Sequence, residues 1–249
     1  MQLLRSFFVA VAALFLLPLA VHAAWWISHD PDIGWSEADW SSAGILPPAR
    51  ATPGAVVRVY AARTGRWKGA VAVHTWIVIK ERGASAYTRF DKTGWGRPVK
   101  VNGWAPDARW YGHAPFVVAA FDGPAAERLI PKIKAAVARY PFNSYGAYSV
   151  WPGPNSNSFV AYVLNAVPEA QVTLPPTAIG KDWHADLRIF GLAPSHTGIQ
   201  LSLGGLLGFT LGWVEGIEIN VLGLVAGIDI RHPALKLPGF GRIGFRPAG

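Results

Sequence analysis

His74 sits on an apolar run, and Asn155-Ser156-Asn157-Ser158-Phe159 opens a helical pattern well downstream. A histidine on a strand and a small hydroxyl at a helix N-terminus suit nucleophilic chemistry on an amide or ester. The imidazole takes the proton, and the helix end favours the developing negative charge. The imidazole needs a third group to orient it. If the Lys80–Ser85 turn centres between Arg82 and Gly83, His74 faces Asp91 across the hairpin. A slip of a residue or two brings Arg89 near instead. The expected set is His74 as base, Ser156 as nucleophile, Asp91 as orienter, and Asn155 or Asn157 as local polar support. The His74 ring and the Ser156 hydroxyl should then lie within one hydrogen bond or one bridging water, about 3–5 Å apart.

Each of these residues also has a structural explanation. Asn and Ser are preferred N-caps, so residues 155–158 suit capping alone. Asp91, in Phe90-Asp91-Lys92, suits a strand end. Magnitude also limits the serine. A helix N-terminus contributes roughly 0.3–1 kcal/mol, or ~2 kcal/mol in a good buried site. At about 1.36 kcal/mol per pKa unit, that tips a thiol to thiolate but not a hydroxyl to alkoxide. The chain has no cysteine. Ser156 chemistry would need concerted proton removal by His74 and an oxyanion hole.

Other polar candidates are weaker. His113, His184 and His196 fall in loop-like stretches, and the histidines show no metal-ligand spacing, so neither a metal nor a cofactor is expected. Twelve tryptophans are many for 249 residues. Trp76 and Trp151 would suit a cleft that stacks sugar rings or peptides. The competing explanation is that large aromatics fill a loop-rich core.

The elements that must position these residues are legible. Val56 to Tyr60, Val71 to Ile79, Ala86 to Asp91 and Phe116 to Phe121 read as strands. Trp76, Val78 and Lys80 share one face of the second, and Ile77 and Ile79 the other. Asp122 caps a helix with Leu129, Ile133 and Val137 on one stripe, and Pro131 is expected to kink it or delay its start. A second helix runs from Ser156 to Val167, and Pro168 stops it. Pro175-Pro176 marks a boundary.

The last third carries a short duplication. Gln200-Leu201-Ser202-Leu203 matches Glu218-Ile219-Asn220-Val221 at an offset of 18. The alternation predicts two β-hairpins, with Leu201, Leu203, Ile219 and Val221 packed on the body or an adjoining sheet layer and Ser202 and Asn220 pointing away. Glu215, Glu218 and Asp229 argue against a transmembrane helix pair. The tail from Pro233 to Pro247 is basic and glycine-rich.

The N-terminus reads as a targeting signal. Arg5 precedes an apolar stretch from Phe7 to Leu17, and Val21-His22-Ala23 offers a cleavage site. Export with cleavage is favoured over a retained anchor, although Trp25 and Trp26 suit a membrane interface. Residues 1–23 form this signal or anchor, and 24–54 a Trp- and Pro-rich arm. Within the arm, Ser36 and Asp39 have the spacing of a capping box and predict a helical turn flanked by Trp35 and Trp40. Residues 55–174 form the main domain and 175–249 a β-rich extension. Apolar residues make up 51% and charged residues 15%, which excludes a disordered chain. The net charge of +8 suits anionic lipid or wall polymer. No basic stripe alternates with aromatics, so nucleic acid is not an expected partner. Composition leaves the oligomeric state open.

The His-Thr-Trp-Ile run at His74, Gly-Trp-Gly near Gly94 and Gly-Pro-Asn-Ser-Asn-Ser-Phe around Ser156 resemble a bacterial envelope family known as domain of unknown function 3750. More distantly, the chain is similar to permuted papain-like proteins, the NlpC-type peptidases and lecithin-retinol-acyltransferase-like enzymes, with Ser156 at the cysteine position. That resemblance implies an α+β fold with an antiparallel sheet and a nucleophile-position helix. With the N-terminal signal, the envelope family points to an exported protein, periplasmic or anchored facing the periplasm. Its cleft would hydrolyse or transfer amide or ester groups. The alternative is a non-catalytic relative that binds a wall peptide, glycan or lipid, or a membrane-associated structural module.

Overall fold

The computed structural model describes residues 2–30 and 32–244, so the end of the basic tail beyond Gly244 lies outside the described residues. The fold is α+β, with two antiparallel sheets and few helices. The first sheet has the order β4-β3-β2-β1-β5. Its strands are β1 (Val56–Arg63), β2 (Val73–Lys80), β3 (Thr88–Lys92), β4 (Val99–Val101) and β5 (Phe116–Asp122). β1 and β2 are β-branched and pair without a bulge from Val56 opposite Lys80 to Arg63 opposite Val73.

That regular register separates the two faces of β2. Val73, Ile77 and Ile79 join Val57, Val59 and Phe90 under the helices α3 (Gly123–Arg139) and α4 (Ser156–Asn165). The α3 stripe of Leu129 and Ile133 is buried there as its spacing predicts. Pro131 lies inside α3 without ending it. On the other face, Trp76 and Val78 join Tyr60, Ala62 and Trp110 in a second core. The arm covers this face. Asp107 fastens it, accepting from Ser42 Oγ at 2.6 Å, Ile45 N at 2.8 Å and Leu46 N at 3.1 Å. The helical turn expected from Ser36 and Asp39 is a single turn, closed by Ala38 N donating to Gly34 O at 3.1 Å, and Asp39 Oδ1 accepts from Ser41 N at 2.8 Å rather than capping it. Residues 35–37 make a tight turn, held by Trp40 Nε1 donating to Trp35 O and by packing of the two indoles.

The C-terminal third is a seven-stranded meander rather than two separate hairpins, in the order β12-β11-β10-β9-β8-β7-β6. Its strands are β6 (Phe190–Leu192), β7 (Gly198–Leu203), β8 (Leu207–Gly212), β9 (Gly216–Val221), β10 (Leu224–Asp229), β11 (Ala234–Leu237) and β12 (Gly241–Gly244). The duplicated segments become β7 and β9, which flank β8.

The expected facing of this sheet is inverted. Ser202 is 1% exposed and Glu218 2%, whereas Leu201 is 41% exposed and Ile219 42%. The register explains how the whole face behaves alike. Leu201 pairs with Phe209, Phe209 with Ile219, and Ile228 with both Ile217 and Leu235. All of these large apolar residues are exposed. The polar side turns inward because the body offers it polar partners. Asp182 accepts from Gln200 Nε2 at 2.9 Å and from Asn220 Nδ2 at 2.8 Å. Lys181 Nζ reaches Glu218 Oε2 at 2.5 Å, and Lys236 Nζ reaches Glu218 Oε1 at 2.5 Å. Fully partnered buried charges of this kind are tolerated, and unpartnered ones are not.

The N-terminal helix runs through α1 (Gln2–Val11), a π-helical turn (Ala12–Leu16) and α2 (Leu17–His29). Phe8–His29 is long and apolar enough to cross a membrane, with a mean hydropathy of 2.1. Its C-terminal half docks on the body. His22 Nδ1 lies 2.7 Å from Ala70 O, and Trp26 Nε1 donates to Arg66 O at 3.1 Å. Gly69 is required at this contact, since a Cβ there would meet the Trp26 ring at 2.2 Å.

Candidate functional site

His74 and Asp91 meet. His74 Nε2 lies 2.8 Å from Asp91 Oδ1. They are not directly opposed as the hairpin count suggests. Ile77 pairs with Phe90 and Val78 with Arg89, so extending the ladder sets Asp91 opposite Trp76. The true register is shifted by two residues from the expected one. An even shift keeps Asp91 on the His74 face, and the pair closes on the diagonal.

Asp91 also holds Arg89. Arg89 Nε donates to Asp91 Oδ2 at 2.5 Å and Nη2 to Oδ1 at 2.9 Å, a bidentate pair with both side chains fully buried. Arg89 Nη1 donates onward to Ala105 O at 2.8 Å, and its guanidinium lies 4.1 Å from the Trp76 ring centroid. The His74 ring stacks on Trp110 at 3.7 Å and 3°. Burial lowers the His74 pKa below its ordinary value, against the pull of Asp91. Burial alone would raise Asp91, but Arg89 and the His74 bond outweigh it and hold the carboxyl below the usual range. The result is a neutral imidazole beside an ionised carboxylate, sealed under indole rings.

Ser156 lies on the other side of the sheet. It starts α4, which packs against the face carrying Thr75. Thr75 Oγ1 donates to Asn157 Oδ1 at 3.0 Å and approaches Ser156 O at 3.4 Å. Asn157 Nδ2 donates to Val73 O and to Ile179 O, both at 2.9 Å. Neighbouring residues of a regular strand point to opposite faces, so Thr75 faces α4 and His74 faces away from it. The structure brings His74 and Asp91 together and does not bring Ser156 to them.

The polar run at α4 is occupied by capping. Asn155 Oδ1 accepts from Asn157 N and Ser158 N, each at 3.0 Å, and Ser158 Oγ accepts from Asn155 N at 2.8 Å. This is a reciprocal capping box. Asn155 Nδ2 further donates to Val150 O and Ile179 O. Asn155 and Asn157 therefore fasten α4 to β2 and to the loop before Lys181. The two tryptophans expected to line a cleft are placed otherwise. Trp76 is fully buried and donates to Pro106 O. Trp151 is half exposed and donates to Leu222 O at 2.9 Å, which links the loop before α4 to the β9–β10 turn.

A separate cleft of about 290 Å³ opens between α3, α4 and the segment after Lys181. Arg139, Tyr162, Trp183, His184 and Arg188 line it. Asp186 also lines it and pairs with Arg188 at 3.6 Å, which leaves the Arg139 guanidinium and the Trp183 indole to suit an anionic group attached to a ring or peptide. Apart from His184, the sequence carries no signal for this place, because its residues are scattered over some fifty positions and form no motif. Lys92 carries no such signal either. It donates to Phe142 O and Ala147 O, each at 2.6 Å, and desolvation pulls its pKa down to about 8. Among the described residues no cluster of His, Asp or Glu could hold a metal ion.

No curated protein and no solved structure matches the chain. One family does, described as "Protein of unknown function (DUF3750)", over residues 54–183. That span takes in the first sheet, both packed helices and the Lys181-Asp182 pair that enters the polar side of the second sheet. It covers just over half of the chain, which belongs to the DUF3750 family.

Proposed function

We propose that this chain is a membrane-held envelope protein whose permuted papain-like scaffold works without catalysis, as a binding and structural module. The placement of His74 carries this reading. A papain-type base must face the helix that presents the nucleophile. Here the imidazole faces Asp91 and Trp110 on the opposite side of β2. Ser156 is left without that imidazole, and helix polarity alone does not activate a hydroxyl. The hydrolase or acyltransferase alternative would need the strand to flip both residues.

Envelope placement rests on the N-terminal helix. Docking of His22 and Trp26 favours a retained helix over a cleaved signal, because cleavage before Ala24 would separate these two contacts. The ligand site in this reading is the Arg139–Trp183–Arg188 cleft, and the ligand an anionic wall peptide, glycan or lipid group.

Ser156→Cys tests the non-catalytic reading. The new thiol should alkylate slowly, with the pH profile of an ordinary or buried thiol. Rapid alkylation below neutral pH, abolished by His74→Gln, would mean that the imidazole engages residue 156 and that the reading is wrong.

A further inference from the structure

The second sheet presents an apolar face that, among the described residues, is covered only at one strand. We propose that this face, together with the N-terminal helix, is a membrane-contact surface that lies on one leaflet of a lipid bilayer. A soluble antiparallel sheet buries its apolar face and solvates its polar one. Here the order is reversed. Leu201, Phe209, Ile219, Ile228 and Leu235 point outward, while Glu218, Asn220 and Lys236 point into the protein. Apolar-out and polar-in is the alternation of strands whose solvent is lipid.

Size supports contact rather than spanning. The four six-residue strands β7 to β10 rise about 20 Å each, the three shorter strands widen the sheet to roughly 29 Å, and the face has an area on the order of 500 Å². That is at the upper end of the largest apolar patch on a typical monomer, a patch that is often functional. A spanning strand needs about 9–11 residues, and the edge strands β6 and β12 leave the sheet open. An open edge is excluded from the hydrocarbon centre but not from the interfacial zone.

The helix identifies the occupant. Its π-helical turn packs against β10, and Ala226, which shares the apolar side with Ile219, is fully buried. The side of the helix turned away from the body stays open, with Val21, Trp25 and Ile27 all more than half exposed. A helix of membrane character and the sheet face therefore form one continuous surface and must meet the same medium. A second flat copy does not fit. Stacked sheets approach to about 10 Å, and a helix about 10 Å across stands on the third strand of this one. Trp213, in the β8–β9 turn, is exposed at the rim, where an indole suits the headgroup boundary. The charge of +8 suits an anionic leaflet.

This inference rests on the proposed retention of the helix, and the test separates the two. Because the chain has no cysteine, single cysteines label uniquely. The full chain is made as Phe209→Cys, Ile27→Cys and Arg128→Cys, each carrying an environment-sensitive nitrobenzoxadiazole group. Vesicles of phosphatidylethanolamine and phosphatidylglycerol are then added. The labels at 209 and 27 should shift to the blue and brighten several-fold, and the label at 128, on the exposed side of α3, should not change. A shift at 27 without one at 209 would overturn the sheet inference and leave the helix at the membrane. No shift at either would overturn both. A shift at 209 that appears without vesicles as protein concentration rises would assign the face to a second copy and also overturn the inference.

Discussion

Glu218→Ala should destabilise the protein by about 3–5 kcal/mol, the cost of stranding a buried charge. Glu218 holds Lys181 and Lys236 at once, and all three side chains are buried. Burial would raise the Glu218 pKa, but the two lysines reverse this and keep it below the usual range. Burial would likewise lower Lys181, and Asp182 with Glu218 raise it instead. Two cations and two carboxylates make the cluster neutral, so loss of one carboxylate leaves it a charge short. Thermal unfolding should fall by on the order of 10 °C for a chain of this length. A compensating pair, Glu218→Leu with Lys236→Met, restores neutrality and bulk and should recover most of the loss. If the single variant unfolds at the wild-type temperature, the polar side of the sheet is not packed on the body.

Asp91→Ala should have a similar cost, about 3–5 kcal/mol. The Arg89 guanidinium is fully buried and would keep only Ala105 O and the indoles as partners. His74→Gln should cost far less, because Arg89 still neutralises Asp91 and a neutral donor can replace the imidazole N–H. Urea unfolding of the two variants checks the order. Equal losses would mean that His74, not Arg89, is the principal partner of Asp91.

The first sheet and its two packed helices were legible because their signals are local. β-Branched runs gave β1 and β2, the Leu129 and Ile133 spacing gave α3, and Asn155 with Ser158 gave the start of α4. The facing of side chains was less legible. A period of two identifies a strand but not its buried side. For β7 and β9 that choice depends on Lys181 and Asp182, which supply charge from a different segment. The same limit affected His74. Its distance in sequence from Ser156 and its strand placement suited a dyad, yet one position along β2 decides the face, and Thr75 took the one toward α4. The residue order resembled a catalytic scaffold whose geometry the strand register does not assemble.

The titration of His74 tests this account most directly. Because its folded pKa lies below the free value of 6.5, the unfolded chain binds the extra proton as pH falls through that value. Stability contributed by the neutral ring is present above about 6.5 and declines on acidification toward the folded pKa. Nitrogen-15 NMR of labelled histidine should show the His74 ring still neutral, in a single tautomer with its proton on Nε2 toward Asp91, at pH 6.5, where a free imidazole is half protonated. Ser156→Ala should leave its shifts unchanged. A ring that titrates at or above 6.5 and moves on Ser156→Ala would place the imidazole beside the serine and contradict the non-catalytic reading.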